Sequence, residues 1–207
     1  YQLDIVNQNE VRGNIGLSFA KILKHVLRQD PDIIMVGEMR EKETAEIAVQ
    51  AALTGHLVLS TLHTNDSAGA ITRMIDMGVE PYLLSSALVG VVGQRLLRRV
   101  CPACKTTYAA PAELVEKFGW DASLAPQLAK GRGCSECYDS GYRGRLAIHE
   151  TLPITEALQH MIMRNPSRDE LTAYLRENEV PSLYEDGVER AREQLTTVEE
   201  VARVVNT

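Results

Sequence analysis

Asp30-Pro31-Asp32-Ile33-Ile34-Met35-Val36-Gly37-Glu38-Met39-Arg40 and, one helical stretch later, Thr54-Gly55-His56-Leu57-Val58-Leu59-Ser60-Thr61-Leu62-His63-Thr64-Asn65-Asp66 are the runs that decide the fold. Each holds a short, continuously apolar segment bounded by turn residues, the pattern of a strand buried on both faces. Between them, Glu41 to Leu53 is rich in Ala and Glu and predicts a helix that Gly55 ends. Upstream, Leu17, Phe19, Ala20, Ile22, Leu23, Val26 and Leu27 form a broad helical apolar stripe that must stop before Pro31. Downstream, Asn65 or Asp66 caps a third helix that runs to Gly78. Helix, strand, helix, strand, helix with short loops predicts an α/β layer with a parallel sheet.

Outside this layer the pattern is less regular. Tyr1 to Val6 reads as extended, and Glu80-Pro81 opens a helix through Val92 that Gln94 to Val100 continues. Pro111 to Phe118 predicts a short helix, Arg145 to His149 a strand, and everything from Ile154 onward a helical bundle. Three capping boxes punctuate that tail, Ser167 with Glu170, Ser182 with Glu185 and Thr197 with Glu200. The expected division is residues 1–100, 101–145 and 146–207.

The middle part is set by Cys101-Pro-Ala-Cys104 and Cys134-Ser-Glu-Cys137. Two Cys-x-x-Cys knuckles can offer four thiolates to one tetrahedral ion, and zinc takes such a set in closed structural sites. Two redox pairs or unrelated core cysteines are the alternative. Pro102 stiffens the first turn, and Gly131, Gly133, Gly141 and Gly144 bracket the second. Four thiolates leave no open coordination position, so zinc here staples a loop and catalyses nothing.

With 207 residues, 44% of them hydrophobic, the chain can bury a real core. A net charge of −6 argues against a broad nucleic-acid surface, although Tyr108, Tyr138 and Tyr142 with Arg143 and Arg145 surround the knuckles. Arg95, Arg98 and Arg99 fall at helical spacing and read as a solvated helix end or a partner contact. No apolar run is long enough for a membrane-spanning helix.

Chemistry points to the exits of the two strands. In parallel sheets ligands bind beyond the strands' carboxyl ends, where Glu38 follows the first strand. A carboxylate there can hold magnesium through its water shell or orient a water beside a phosphate; equally, it can be an acid at the next helix's N-terminus. His63 leaves the second strand and can act on a phosphate or be structural. His56 opens that strand and reads as a satisfied core histidine.

Taken in order, these residues resemble the secretion ATPase superfamily, the hexameric motors of type II secretion and type IV pilus assembly. Arg28-Gln29-Asp30-Pro31-Asp32 with Val36-Gly37-Glu38-Met39-Arg40 is similar to the family's Walker B region, and Thr54 to Asp66 to its His box. The tetracysteine insert ending Gly141-Tyr142-Arg143-Gly144-Arg145 matches the branch that pushes pilins or pseudopilins outward and is typically absent from retraction motors. The resemblance covers essentially the whole chain. It implies a partial RecA-like sheet with flanking helices, a zinc subdomain and a helical bundle. It further implies that Glu38 acts on magnesium and water, that His63 is catalytic, and that Gly37 and His56 belong to the nucleotide-binding segments. ATP, Mg2+ and Zn2+ are the implied cofactors. A homo-hexamer is the implied assembly, cytoplasmic and peripheral at the inner membrane, working with an inner-membrane platform and a cytoplasmic membrane-anchor protein. Type II secretion through pseudopilus assembly is the leading expectation, pilus extension the second, and a non-catalytic zinc-stapled docking module the alternative from another class. No Gly-x-x-x-x-Gly-Lys-Ser/Thr loop occurs in the chain. The resemblance places that loop, an acidic box and arginine fingers before Tyr1, which predicts that these residues alone do not hydrolyse ATP.

Overall fold

In a computed structural model, which describes residues 3–124 and 126–205, the chain divides into two compact units, Tyr1–Val91 with Pro153–Leu175 and Val92–Leu152 with Arg176–Thr207.

The first unit contains the predicted α/β layer. Helix α1 (Phe19–Val26) starts at Ser18, whose hydroxyl accepts the Lys21 N–H, and turns its Ala20 and Leu23 inward. A 3-10 turn and left-handed Asp30 end it before Pro31. Strands β1 (Ile33–Val36) and β2 (Leu57–Ser60) pair in parallel, Ile33 opposite Leu57 through Val36 opposite Ser60. Helix α2 (Lys42–Leu53) connects them. Its end is a Schellman motif: Gly55 at φ 104° lets its own N–H reach Ala52 O and the His56 N–H reach Ala51 O. The core beneath the strands consists of Leu23, Ile34, Val36, Ala48 and Ala51 with Phe19, Val26, Leu27, Met39, Ile47 and Val58.

The strands are not buried on both faces as their composition predicts. Ile33 and Met35 are 62% and 72% exposed and Leu57 and Leu59 about half, so alternate residues of both strands face away from this core. Past β2, Asp66 caps α3 (Ser67–Asp76) by accepting the Gly69 N–H at 2.7 Å. Helix α4 (Pro81–Ala87) packs against α2 and against α6 (Glu156–Met163). Thr155, the cap of α6, shares a 2.8 Å hydrogen bond with Tyr174 of α7 (Arg168–Glu177). Of the extended opening, Tyr1 and Gln2 lie outside the described residues, while Asp4 to Val6 turns, the Val6 N–H reaching back to Leu3 O.

The second unit overturns the helical reading of residues 80–100. Helix α4 stops at Ala87 and Gly90–Val100 is strand β3, paired with β6 (Tyr142–Pro153). The reason lies in Gly90, Val91, Val92 and Gly93, poor helix formers whose stripe is outvoted by a partner strand. Leu97 is fully buried while its neighbour Leu96 is 45% exposed, a period of two. Strands β4 (Lys105–Ala109) and β5 (Gln127–Gly131) form an antiparallel pair around α5 (Ala112–Lys117). Leu97 and Ile148 pack with Leu183 and Val188 of α8 (Leu183–Arg192) and Val201 of α9 (Val198–Val204), joined by Phe118, Trp120 and Tyr184. Among the described residues no helix is long and apolar enough to cross a membrane.

The capping boxes at Ser167 and Ser182 form with both reciprocal bonds. At Thr197 only half forms. Its hydroxyl accepts the Glu200 N–H, but the Glu200 carboxylate turns to Arg98 and Arg203 instead. Arg98 thus lies on a strand and not at a helix end, and its half-exposed guanidinium is paired with Glu200 while lying 4.2 Å over the Tyr142 ring.

Candidate functional site

The parallel register ends at Val36 and Ser60, and the next residues on each chain segment build the site. Thr61 donates its hydroxyl to Gly37 O at 2.6 Å, and its own carbonyl accepts the Met39 N–H at 3.1 Å. Glu38 emerges between these two bonds. Its Oε2 lies 3.0 Å from His63 Nε2 and 2.8 Å from Arg40 Nε. The hydrogen bond from Arg40, more than that from His63, holds the carboxyl below the usual carboxylate range against a smaller desolvation cost. At neutral pH Glu38 is therefore an ion, able to accept a proton, orient a water or face a hydrated cation.

The structure brings Glu38 and His63 together and keeps His56 apart. His56 sits at the opposite end of β2, one strand length away, about 13 Å. There its Nδ1 lies 3.0 Å from Ala51 O and 3.2 Å from the Thr54 hydroxyl, contacts that finish helix α2. Gly37 has an ordinary φ, and a methyl group there would meet only the Phe19 ring at 3.9 Å. Arg40 and Thr61 are the residues that sequence reasoning passed over. The signal for Thr61 was the register itself, since extending the pairing by one step sets it beside Gly37.

In the other unit the four cysteines converge. Cys101 follows β3, Cys104 precedes β4, and Cys134 caps the 3-10 turn that ends in Cys137. All four sulfurs lie within 4.8 Å of one another, with separations of 3.9 Å (Cys101 to Cys134), 3.8 Å (Cys104 to Cys137) and 3.7 Å (Cys134 to Cys137). These match the edge of a tetrahedron with bonds of about 2.3 Å, about 3.8 Å, and are far too long for disulfides. The set can hold a metal ion.

Burial lifts the Cys104 thiol to about 11, whereas at Cys137 it is outweighed by N–H donors from Gly141 and Cys134, which bring that thiol to about 7. The knuckles meet through backbone: the Cys101 N–H donates to Gly141 O at 2.9 Å and the Arg132 N–H to Cys104 O at 3.0 Å. Gly131 is obligatory, because a side chain there would overlap the Gly141 backbone.

Known proteins resemble this chain along nearly its whole length. Residues 1–203 match the family described as Type II/IV secretion system protein. The type II secretion system protein E of Pseudomonas aeruginosa is 50% identical over 204 residues, 99% of this chain and 40% of that protein. The type IV pilus assembly ATPase PilB of Thermus thermophilus is 48% identical over 203 residues, 97% of this chain and 23% of that protein. Among solved structures, the pilus retraction motor PilT with bound ADP superposes with a TM-score of 0.61 at 27% identity, covering 90% of this chain and 43% of PilT. The chain thus spans well under half the length of these relatives, and by its match along residues 1–203 it belongs to the Type II/IV secretion system protein family.

Proposed function

We propose that this chain is the C-terminal part of a hexameric motor ATPase that drives type II protein secretion through pseudopilus assembly. The observation that carries the proposal is the Glu38 carboxylate, held ionised against His63 at 3.0 Å just beyond two parallel strands. The 50% identity to a type II secretion protein E supports the choice of system. Identity of 48% to PilB favours type IV pilus extension as the second reading.

Glu38 orients the water that attacks the terminal phosphate of ATP and receives its proton. His63, donating its Nε2–H to the same Oε2, fixes the rotamer of that carboxylate and changes partner when a phosphate arrives. Gly37 and His56 belong to the two segments that frame the nucleotide, His56 by anchoring the start of the strand that carries His63. Mg2+, bound with ATP, supplies charge neutralisation on the phosphates. Zn2+ is the metal we assign to the cysteines, as a structural ion. We assign residues 1–100 to nucleotide response, 101–145 to the zinc subdomain and 146–207, helical from Glu156 onward, to the tail, a functional division that cuts across the two compact units. The motor works as a homo-hexamer on the cytoplasmic side of the inner membrane, against a platform protein and a membrane-anchored partner.

The test uses the full-length protein that carries this chain. Glu38→Gln keeps ATP binding and lowers turnover by about a thousandfold, the loss typical of removing a catalytic base. Turnover near the parental rate would remove Glu38 from the mechanism.

A further inference from the structure

We infer that Thr61 is a positioning residue for Glu38, a side-chain clamp that fixes the carboxylate-bearing loop to the loop carrying His63. The inference rests on the reading of Glu38 given above. Strand pairing between β1 and β2 stops at Val36 and Ser60, so the loop that carries Glu38 has left the ladder that would otherwise hold it. Thr61 supplies two substitutes. Its hydroxyl donates to Gly37 O, immediately before Glu38, at 2.6 Å, and its carbonyl accepts from Met39 N, immediately after Glu38, at 3.1 Å. One residue therefore grips Glu38 on both sides, and it does so two residues before His63, whose Nε2 meets the Glu38 carboxylate at 3.0 Å.

The geometry gives the two bonds different roles. The backbone bond can form with any residue at position 61 but is less well held once its neighbour is lost, while the bond to Gly37 O exists only with a hydroxyl there. Ser can replace Thr; Val and Ala cannot. Loss of the hydroxyl leaves the Gly37 carbonyl to water and lets the loop drift by a fraction of an ångström, enough to misplace a group that must align a water with a phosphate. Both bonds flank Glu38 itself, so the quantity that Thr61 is expected to set is the placement of the carboxylate, read in kcat more than in substrate affinity.

The experiment compares Thr61→Val, Thr61→Ala and Thr61→Ser in the full-length protein, with Glu38→Gln as reference. Val and Ala are expected to lower kcat about ten- to a hundredfold with KM for MgATP within about twofold, and Ser to restore kcat to within about twofold. Amide exchange at Met39 should quicken in Val and Ala and stay parental in Ser. If Val perturbs assembly, Ala, which removes the hydroxyl without adding bulk, carries the test. Parental kcat in Val and Ala beside an inactive Glu38→Gln would overturn the inference and leave Glu38 in place; so would a loss that Ser does not restore, or one matched by a rise in KM. Parental turnover in Glu38→Gln would sink the reading of Glu38 and the inference with it.

Discussion

Glu200 has no exposed side-chain surface, yet it keeps its charge by accepting from Arg98 at 2.7 Å and 3.0 Å and from Arg203 at 2.6 Å and 2.7 Å. Burial alone would raise its pKa; the bonds from Arg203, then from the Arg98 side chain and backbone, overcome this and bring it to about 2. Against an ordinary value of about 4.3 this depression is linked to about 3 kcal/mol of folding stability. Because the folded-state pKa is lowered, the contribution is whole above about pH 4.5 and is lost as pH falls towards about 2. Glu200→Gln should therefore cost about 3 kcal/mol at neutral pH, and the parent and variant curves should converge as pH falls through that window. Trp120, the chain's one tryptophan, lies in the same core and reports the unfolding by fluorescence. A constant difference from pH 7 to pH 3 would contradict the assignment. In sequence, Thr197 and Glu200 read as a capping box because the signal is local. The arginine that claims the carboxylate lies 102 residues away, and a charge–charge attraction in a buried site outweighs one backbone N–H.

At the scale of elements, helices α8 and α9 approach so closely that a Cβ on Gly187 would lie 2.7 Å from Val201 Cγ1 and 3.5 Å from Ile148 Cδ1. Helix propensity favours alanine over glycine by about 1 kcal/mol, but Val201 is fully buried and β-branched and has no rotamer to yield. Overpacking should win, and Gly187→Ala should destabilise the chain by about 1 kcal/mol net, seen as a lower melting temperature. A higher melting temperature would mean that the helices separate without cost. The same competition between local and distant terms explains the element read wrongly. Residues 80–100 carry leucines and arginines at helical spacing, but Gly90 to Gly93 weakens that helix, and β6, some fifty residues on in sequence, offers Gly90–Val100 a ladder. The elements of the α/β layer were legible because their stop signals are local: Asp30 before Pro31, Gly55 in a Schellman turn, Asp66 as a cap.

For the molecule as a whole, the cysteine cluster is the link between chain segments far apart in sequence. The four sulfurs lie within 4.8 Å of one another, so a metal ion held there would tie Cys101 and Cys104 to Cys134 and Cys137. Cys101→Ser with Cys134→Ser should remove the bound metal and loosen the unit that holds Trp120. Metal content by elemental analysis should fall to zero while much of the far-ultraviolet helical signal persists, the other unit having its own core. Unchanged metal content would sink the assignment of these ligands.

What this sequence determined by itself is what short-range physics encodes: the alternation of helices and strands around residues 17–78, the two knuckles and their turn glycines, and the strand exits where Glu38 and His63 stand. Tertiary structure alone decided which face of β1 and β2 is covered, that residues 90–100 are a strand, that Glu200 serves Arg98 in place of its own helix cap, and that Thr61 brackets Glu38. Each of these depends on a partner brought near by folding, whose contact energy of one to a few kcal/mol exceeds the local preference it overrides.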